Sequence, residues 1–179
     1  SFPTRRSSDL ATVEKELEYL ERYIFLLKSR YEHRLEVEVD CEESVKQEQL
    51  PKIVLQQLVE NSIQHGYNNS KNIMKIYVHG WRDETGWYFE VRDNGQGTTE
   101  EVREELNKKM RKIRKKIMSR GSSIELEIGG MGLANTYARM FLVYNGRAVF
   151  RIRNLEEGLS VIIGVSEKED EADVSGDGC

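Results

Sequence analysis

The stretch PKIVLQQLVENSIQHG at 51–66 combines the spacing of a buried helix with an unusual set of polar side chains. Its apolar residues recur at helical spacing, at Leu55, Leu58, Val59 and Ile63. Asn61 and His65 lie four residues apart and share another stripe, with Gln57 one turn earlier. The stretch therefore predicts a helix whose apolar side packs on a sheet and whose polar side faces a pocket. The alternative is a partly exposed helix face that happens to carry amides.

Strand-like and helix-like patterns alternate along the rest of the chain. A narrow apolar stripe from Val13 to Tyr31 predicts a long helix, which either packs on its own domain or forms a dimerising stalk. The later patterns predict a strand at 35–40, the helix at 51–66, strands near 73–81 and 87–93, a helix at 100–118, a helix after GGMGL, and a hairpin of RAVFRIR and LSVIIGV. This order is typical of an α+β fold, in which helices cover one face of a mixed or antiparallel sheet.

Composition and the chain ends narrow the class of protein. The net charge of -4 indicates no particular partner, and no apolar run approaches the roughly 18 residues of a membrane helix. The two cysteines and three histidines are dispersed without metal-ligand spacing, and a reducing, cytoplasmic setting fits. Residues 1–11 are predicted to be a disordered or non-native leader, and residues 167–179 a disordered acidic tail.

The segment RDNGQG follows a predicted strand and places Asp93 at the end of that strand. Such a carboxylate can accept a hydrogen bond from an amino group. Gly95 and Gly97, which follow at a spacing of two, allow the backbone to approach a planar ring closely. Asp-Asn-Gly is also a strong turn former, so an ordinary turn is the alternative.

A second glycine segment, GGMGL at 129–133, precedes a predicted helix. Free backbone N–H groups and the helix dipole at such a turn can bind phosphate. No Gly-Lys-Ser/Thr follows, and the spacing and preceding strand of a dinucleotide fingerprint are missing. Taken alone, the segment is equally well a glycine-rich hinge.

Taken in order, the three segments resemble the motifs of one superfamily. LQQLVENSIQHG, VRDNGQG and GGMGLANTYARM are similar to the N box and the two glycine boxes of the GHKL ATPases. That superfamily includes histidine kinases, gyrase-type topoisomerases, MutL and heat-shock chaperones. ELEYLERYIFLLKSRYEHRLEVEVD and LPKIVLQQLVENSIQHG narrow the resemblance to the C-terminal part of LytS-type sensor histidine kinases. The resemblance covers about residues 13–165 and departs from the subfamily at Gln57, where proline is usual.

The resemblance implies the ATP-binding catalytic domain of a two-component histidine kinase, with a Bergerat-type two-layer α/β sandwich. Residues 12–34 would end the dimerisation or linker region, and residues 35–166 would form the catalytic domain. Asn61 would ligate Mg²⁺, Glu60 would act as a base, and Asp93 would bind the adenine amino group. The other ATP contacts would come from His65, Gly66, Gly95, Gly97, Gly130, Gly132 and Leu133.

The resemblance also implies partners outside this sequence. The γ-phosphate of ATP would pass to a histidine on an upstream dimerisation helix, and from there to an aspartate of a response regulator. The HFLFN-like motif that carries this histidine in the family does not occur in the 179 residues. The full-length protein is expected to be a homodimer, and this domain to be the cytoplasmic part of an integral membrane sensor.

Two other functions are compatible with the same motifs. An ATPase switch of the gyrase or MutL type would hydrolyse ATP alone and would need a transducer domain. A nucleic-acid-binding module would use the basic lid between the glycine boxes, at about 98–128. The overall acidity and the lack of aromatic residues among the cations of the lid argue against nucleic acid. These cations form a solvated helix face in the simpler interpretation; in a sharper one they reach the triphosphate or an acidic partner.

Overall fold

A mixed five-stranded sheet forms the centre of the protein. The computed structural model describes residues 9–67, 72–120 and 132–168. The sheet contains β2 (Leu35–Cys41), β4 (Met74–Asp83), β5 (Gly86–Asp93), β6 (Ala148–Asn154) and β7 (Leu159–Ser166), in the spatial order β2-β4-β5-β7-β6. β2 runs parallel to β4, and every other neighbouring pair is antiparallel. The α+β class and the strand order along the chain are therefore confirmed.

Four helices accompany the sheet: α1 (Val13–Tyr31), α2 (Val54–Gly66), α3 (Glu100–Arg120) and α4 (Gly132–Tyr144). α2 and α4 contact the sheet and each other, while α1 lies against α2 and β2, and α3 lies against α4. The apolar stripe of α1 is buried in the common core, so it packs on its own domain, as one of the two predictions for this helix stated. None of the described helices is both apolar enough and long enough to cross a bilayer.

A small second sheet joins the start of the chain to the segment before α2. β1 (Leu10–Thr12) pairs antiparallel with β3 (Gln49–Pro51). Leu10 and Ala11 are predicted to lie in a disordered or non-native leader, and the structure places them in a strand, so the disordered alternative does not hold for these two residues. A three-residue strand is too short to show periodicity in the sequence. Residues 1–8 of that leader lie outside the described residues, as do residues 169–179 of the acidic tail.

The start of α2 also differs from its prediction. Pro51 ends β3 instead of opening the helix, which begins three residues later at Val54. A proline is compatible with either position because it lacks only an N–H group and fixes one dihedral angle. The residue before the helix, Ile53, adopts the left-handed conformation with φ of 67° and provides no side-chain cap.

The core lies between the helices and one face of the sheet, and Phe89 is at its centre. Phe89 on β5 is 0% exposed, and its ring lies directly over Gly80 of the neighbouring strand β4. A Cβ atom added to Gly80 would lie 2.6 Å from the ring of Phe89. The missing side chain at Gly80 therefore provides the space that the aromatic ring fills.

We expect Phe89→Ala to lower the free energy of unfolding by about 3–5 kcal/mol, since the lost ring leaves a cavity that the rigid sheet cannot close. Phe25→Ala on α1 is the matched control, because Phe25 is 71% exposed. The control should change stability by less than about 0.5 kcal/mol. Urea denaturation measures both values, and similar losses for the two variants would contradict this account of the core.

Candidate nucleotide-binding site

Parts of the three sequence motifs meet at one end of the helical layer. α2 brings Asn61, β5 ends at Asp93, and α4 begins at Gly132. Asn61 is only 8% exposed, and a Cβ atom added to Gly132 would lie 3.5 Å from its Oδ1 atom. The N box and the described part of the second glycine box are therefore adjacent in space, although they are 71 positions apart in sequence.

Asp93 is a buried carboxylate, 5% exposed, at the end of a central strand. Its Oδ1 atom accepts hydrogen bonds from the N–H groups of Gly95, at 2.9 Å, and Leu159, at 3.3 Å. Burial raises the pKa of Asp93, while these bonds and one from the Ser62 side chain oppose the shift. The carboxylate is thus held in a fixed orientation and retains acceptor capacity beyond the bonds that fix it.

Two glycines of different motifs touch each other beside Asp93. A Cβ atom added to Gly95 would lie 2.4 Å from the Cα atom of Gly66, the last residue of α2. No side chain fits there, so the first glycine box lies directly on the end of the N-box helix. Gly97 has φ of 69°, a left-handed conformation that favours glycine, and packs against Asn154 and Gly158.

Side-chain amides hold the loop after β5 at both ends. Asn94 accepts a hydrogen bond from the Lys75 N–H at 2.7 Å and donates to the Ile73 carbonyl at 3.1 Å. Asn154 accepts from the Thr98 N–H at 2.9 Å and donates to the Thr98 carbonyl at 2.7 Å. The DNG segment is therefore a pinned turn, and its role in a binding site stays a prediction.

A cleft of about 270 Å³ opens between the end of α2 and this loop. Tyr67, Ile73 and Met74 give it apolar wall surface, and Gly66 and Gly95 form its glycine wall. The remaining lining residues are Asn72, Asn94, Gln96 and Glu157. The three apolar residues could not be identified from the sequence, because they flank the motifs and carry no signal of their own.

Of the predicted site residues in the described ranges, only Gly66 and Gly95 line this cleft. Its lining does not include Asn61, Asp93, Gly97 or Gly132. His65 and Glu60 have exposed side chains; the carbonyl of His65 accepts a hydrogen bond from Gln96 Nε2 at 3.0 Å. Glu60 Oε1 accepts a hydrogen bond from Gln64 Nε2 at 3.4 Å. The pKa of Tyr23 on α1 is raised mainly by burial and also by the negative charge of Glu60. Glu60 is therefore close to α1. Leu133 is half-buried in the first turn of α4, whereas Gly130 lies outside the described residues.

Asn61 and its surroundings suit a metal that arrives together with a ligand. Within the described ranges, no group of three or more His, Cys, Asp or Glu side chains is placed to hold a metal ion. Asn61 offers a neutral amide oxygen, which is a typical Mg²⁺ ligand where phosphates and water supply the others. The residues present fit Mg²⁺ held jointly with a polyphosphate and do not form a cage for an ion alone.

Comparison with known proteins identifies the family of the chain. Residues 46–169 match the family described as "Histidine kinase-, DNA gyrase B-, and HSP90-like ATPase". The chain is 32% identical to the sensor protein LytS of Enterococcus faecalis over 163 residues, which cover 90% of this chain and 26% of that protein. It is 30% identical over 90 residues to the sensor histidine kinase BtsS of Escherichia coli K12, covering 50% of this chain and 16% of that protein. The chain thus spans about a quarter or less of these relatives.

Solved structures show the same fold at low sequence identity. The catalytic domain of histidine kinase ThkA superposes with a TM-score of 0.55 at 16% identity, covering 86% of this chain and 94% of that one. The histidine kinase AdeS of Acinetobacter baumannii gives a TM-score of 0.55 at 14% identity, covering 88% and 66%. The chain belongs to the histidine kinase-, DNA gyrase B- and HSP90-like ATPase family.

Proposed function

We propose that this domain binds Mg-ATP, with the base at the cleft beside Asp93 and the phosphates at Asn61 and the start of α4. It would transfer the γ-phosphate to a histidine on a helix supplied by the rest of the parent protein. The observation that carries the proposal is the arrangement around Asp93. A buried, oriented carboxylate lies beside two glycines in backbone contact, at the same end of the helical layer as Asn61 and the start of α4.

The adenine end of the site would be formed by Asp93 and its surroundings. Adenine presents an amino group, a donor that a carboxylate acceptor recognises, whereas guanine presents a carbonyl oxygen at the corresponding position. The close contact of Gly95 and Gly66 leaves backbone only at this wall, which allows a planar base to approach. Tyr67, Ile73 and Met74 would cover the apolar surface of the base.

The phosphate end would be formed by Asn61 and the start of α4. Gly132 is the first residue of α4, where unpaired N–H groups and the helix dipole favour anions. Asn61 would hold Mg²⁺, whose charge offsets that of the phosphates. His65, Gly97, Gly130 and Leu133 complete the proposed set of ATP contacts.

The acceptor of the phosphoryl group would lie outside this chain. The similarity to LytS and BtsS supports a histidine on an upstream helix, a response regulator as the next acceptor, and a homodimeric, membrane-associated parent. Glu60 is exposed and adjacent to Asn61, so a nucleophile presented from solvent can reach it. We propose Glu60 as the residue that orients this nucleophile.

Asn61→Ala should weaken the binding of ATP in the presence of Mg²⁺ by about tenfold or more, the scale of one lost interaction with a charged group. Its affinity for ATP without Mg²⁺ should change much less, because the amide would contact the ion and not the base. Calorimetric titration with and without Mg²⁺ measures both values. Gln64→Ala, on the exposed side of α2, is the control, and wild-type titrations from Asn61→Ala would refute the metal assignment.

Two substitutions at Asp93 separate base selectivity from loop structure. Asp93→Ala should remove the preference for ATP over GTP and destabilise the fold by about 1–3 kcal/mol, since the Gly95 and Leu159 N–H groups lose their acceptor. Asp93→Asn keeps an acceptor for both groups, so it should remain stable but lose selectivity. Titrations with ATP and GTP, together with urea denaturation, test this prediction. Retained ATP preference in both variants would contradict it.

When the chain is mixed with the dimerisation segment of its parent protein and with γ-labelled ATP, we expect the labelled phosphate to appear on that segment. The label should be acid-labile and base-stable, as expected of phosphohistidine, and Glu60→Gln should slow its appearance without changing ATP affinity. A switch of the gyrase or MutL type would instead release inorganic phosphate steadily from the chain alone and would transfer no label. That second result would overturn the kinase proposal.

A further inference from the structure

Residues 49–53, here called the junction, comprise β3 and the two residues that lead from it into α2, and they donate hydrogen bonds to, or accept them from, side chains of two other helices. Glu16 of α1 accepts a hydrogen bond from the Ile53 N–H at 2.6 Å. Arg139 of α4 donates from Nη2 to the Lys52 carbonyl at 2.7 Å. The hydroxyl group of Tyr144, also on α4, donates a hydrogen bond to the Gln49 carbonyl at 2.6 Å. Three helices therefore meet at one short segment.

Glu16 caps α2 from outside the sequence of that helix. Ile53 at the N-terminus of α2 is left-handed and has no side-chain oxygen, so it cannot cap the free N–H groups of the first turn. Glu16 is 0% exposed and directs Oε1 to the Ile53 N–H. Burial raises the pKa of Glu16, and the N–H groups of Ile53, Leu55 and Val54 oppose this shift. The first turn of α2 thus depends on an acceptor that only a docked α1 provides.

Arg139 connects α4 to the junction. Its Nη1 donates to Gln57 Oε1 at 3.1 Å, in addition to the bond from Nη2 to the Lys52 carbonyl. Burial lowers the pKa of Arg139, and the charge of Glu16 opposes this shift, so the two ions act on each other. Gln57 and Arg139 bridge α2 and α4 about two turns from Gly132.

This arrangement places the junction and the nucleotide site at opposite ends of one pair of helices. Ile53 and Asn61 are separated by roughly 12 Å along α2, and Gly132 and Arg139 by roughly 10 Å along α4. Asn61 lies next to Gly132, and about one turn of α2 nearer the junction Gln57 bonds to Arg139. A shift of either helix at the junction therefore changes the separation of the two walls of the site.

We propose that Glu16 and Arg139 are positioning residues that couple the docking of α1 to nucleotide binding. The proposal rests on the proposed function, in that Asn61 and the start of α4 both contact the bound nucleotide. α1 in its docked position caps α2 and, together with the Gln57–Arg139 bridge, holds the two site walls at the separation that nucleotide requires. Because coupling is reciprocal, bound nucleotide also strengthens the docking of α1.

The test compares Glu16→Ala, Glu16→Gln and the control Glu18→Gln at a temperature where each variant is folded. Glu18 lies on the same helix but pairs with Lys15 at the surface. Glu16→Ala should weaken ATP binding by about 5- to 50-fold, within the range of coupling between sites. Glu16→Gln, which keeps an acceptor oxygen for the Ile53 N–H, should recover part of this loss, and Glu18→Gln should bind as the wild type does.

Amide hydrogen exchange separates coupling from simple loss of stability. In the wild type, saturating ATP should slow exchange in α1 and in the first turn of α2 by more than it slows exchange in β5. In Glu16→Ala, this extra protection of α1 should disappear. Wild-type ATP affinity in Glu16→Ala, or equal protection of α1 in both proteins, would overturn the proposal. A wild-type chain that binds no ATP would instead refute the proposed function.

Discussion

The site depends on a carboxylate that the fold keeps in an unfavourable place. Asp93 is buried at the end of a central strand, where the loss of hydration penalises its charge and raises its pKa. A carboxyl group with a raised pKa in the folded state destabilises the fold once it is ionised. The N–H groups of Gly95 and Leu159 stabilise the charge of Asp93, but they offset only part of its desolvation cost. A ligand with an amino donor would offset more of it. The cost and the proposed selectivity therefore have one origin.

The rest of the site follows from holding that carboxylate in place. Gly158, with φ of 88°, brings the turn after β6 so close to the strand that an added Cβ atom would lie 1.9 Å from the Asp93 carbonyl oxygen. Gly95 brings the following loop onto the end of α2 in the same way. Asn94 then ties this loop to the start of β4. The contacts of Gly158 and Gly95 are made by backbone atoms, and each excludes a side chain where the loops converge on the cleft.

The sequence predicts elements with long periodic patterns and misses what depends on contact between distant segments. The α+β class and the sheet of five strands could be predicted, because alternating and helical patterns extend over most of each element. Asn61 and Asp93 could be selected from their motifs, and they do lie at one end of the layer. Tyr67, Ile73 and Met74 could not be selected, because they line the cleft only through the tertiary arrangement of the end of α2 and the start of β4. Similarly, the cap that Glu16 gives α2 comes from 37 residues away.

The charge pattern of α3, which lies in the predicted lid, has explanations within the fold itself. α3 carries acidic residues in its first turn and most of its cations further along, a distribution that the helix dipole favours by itself. Leu106, Met110 and Ile117 are buried and fix one side of α3 against α4, where Arg114 also lies over the ring of Phe141 at 5.6 Å. Phosphate is therefore not needed to explain these cations, and their action on nucleotide stays a prediction. Because α3 packs on α4, any movement of the lid reaches Gly132 through the same helix that Arg139 holds at the junction.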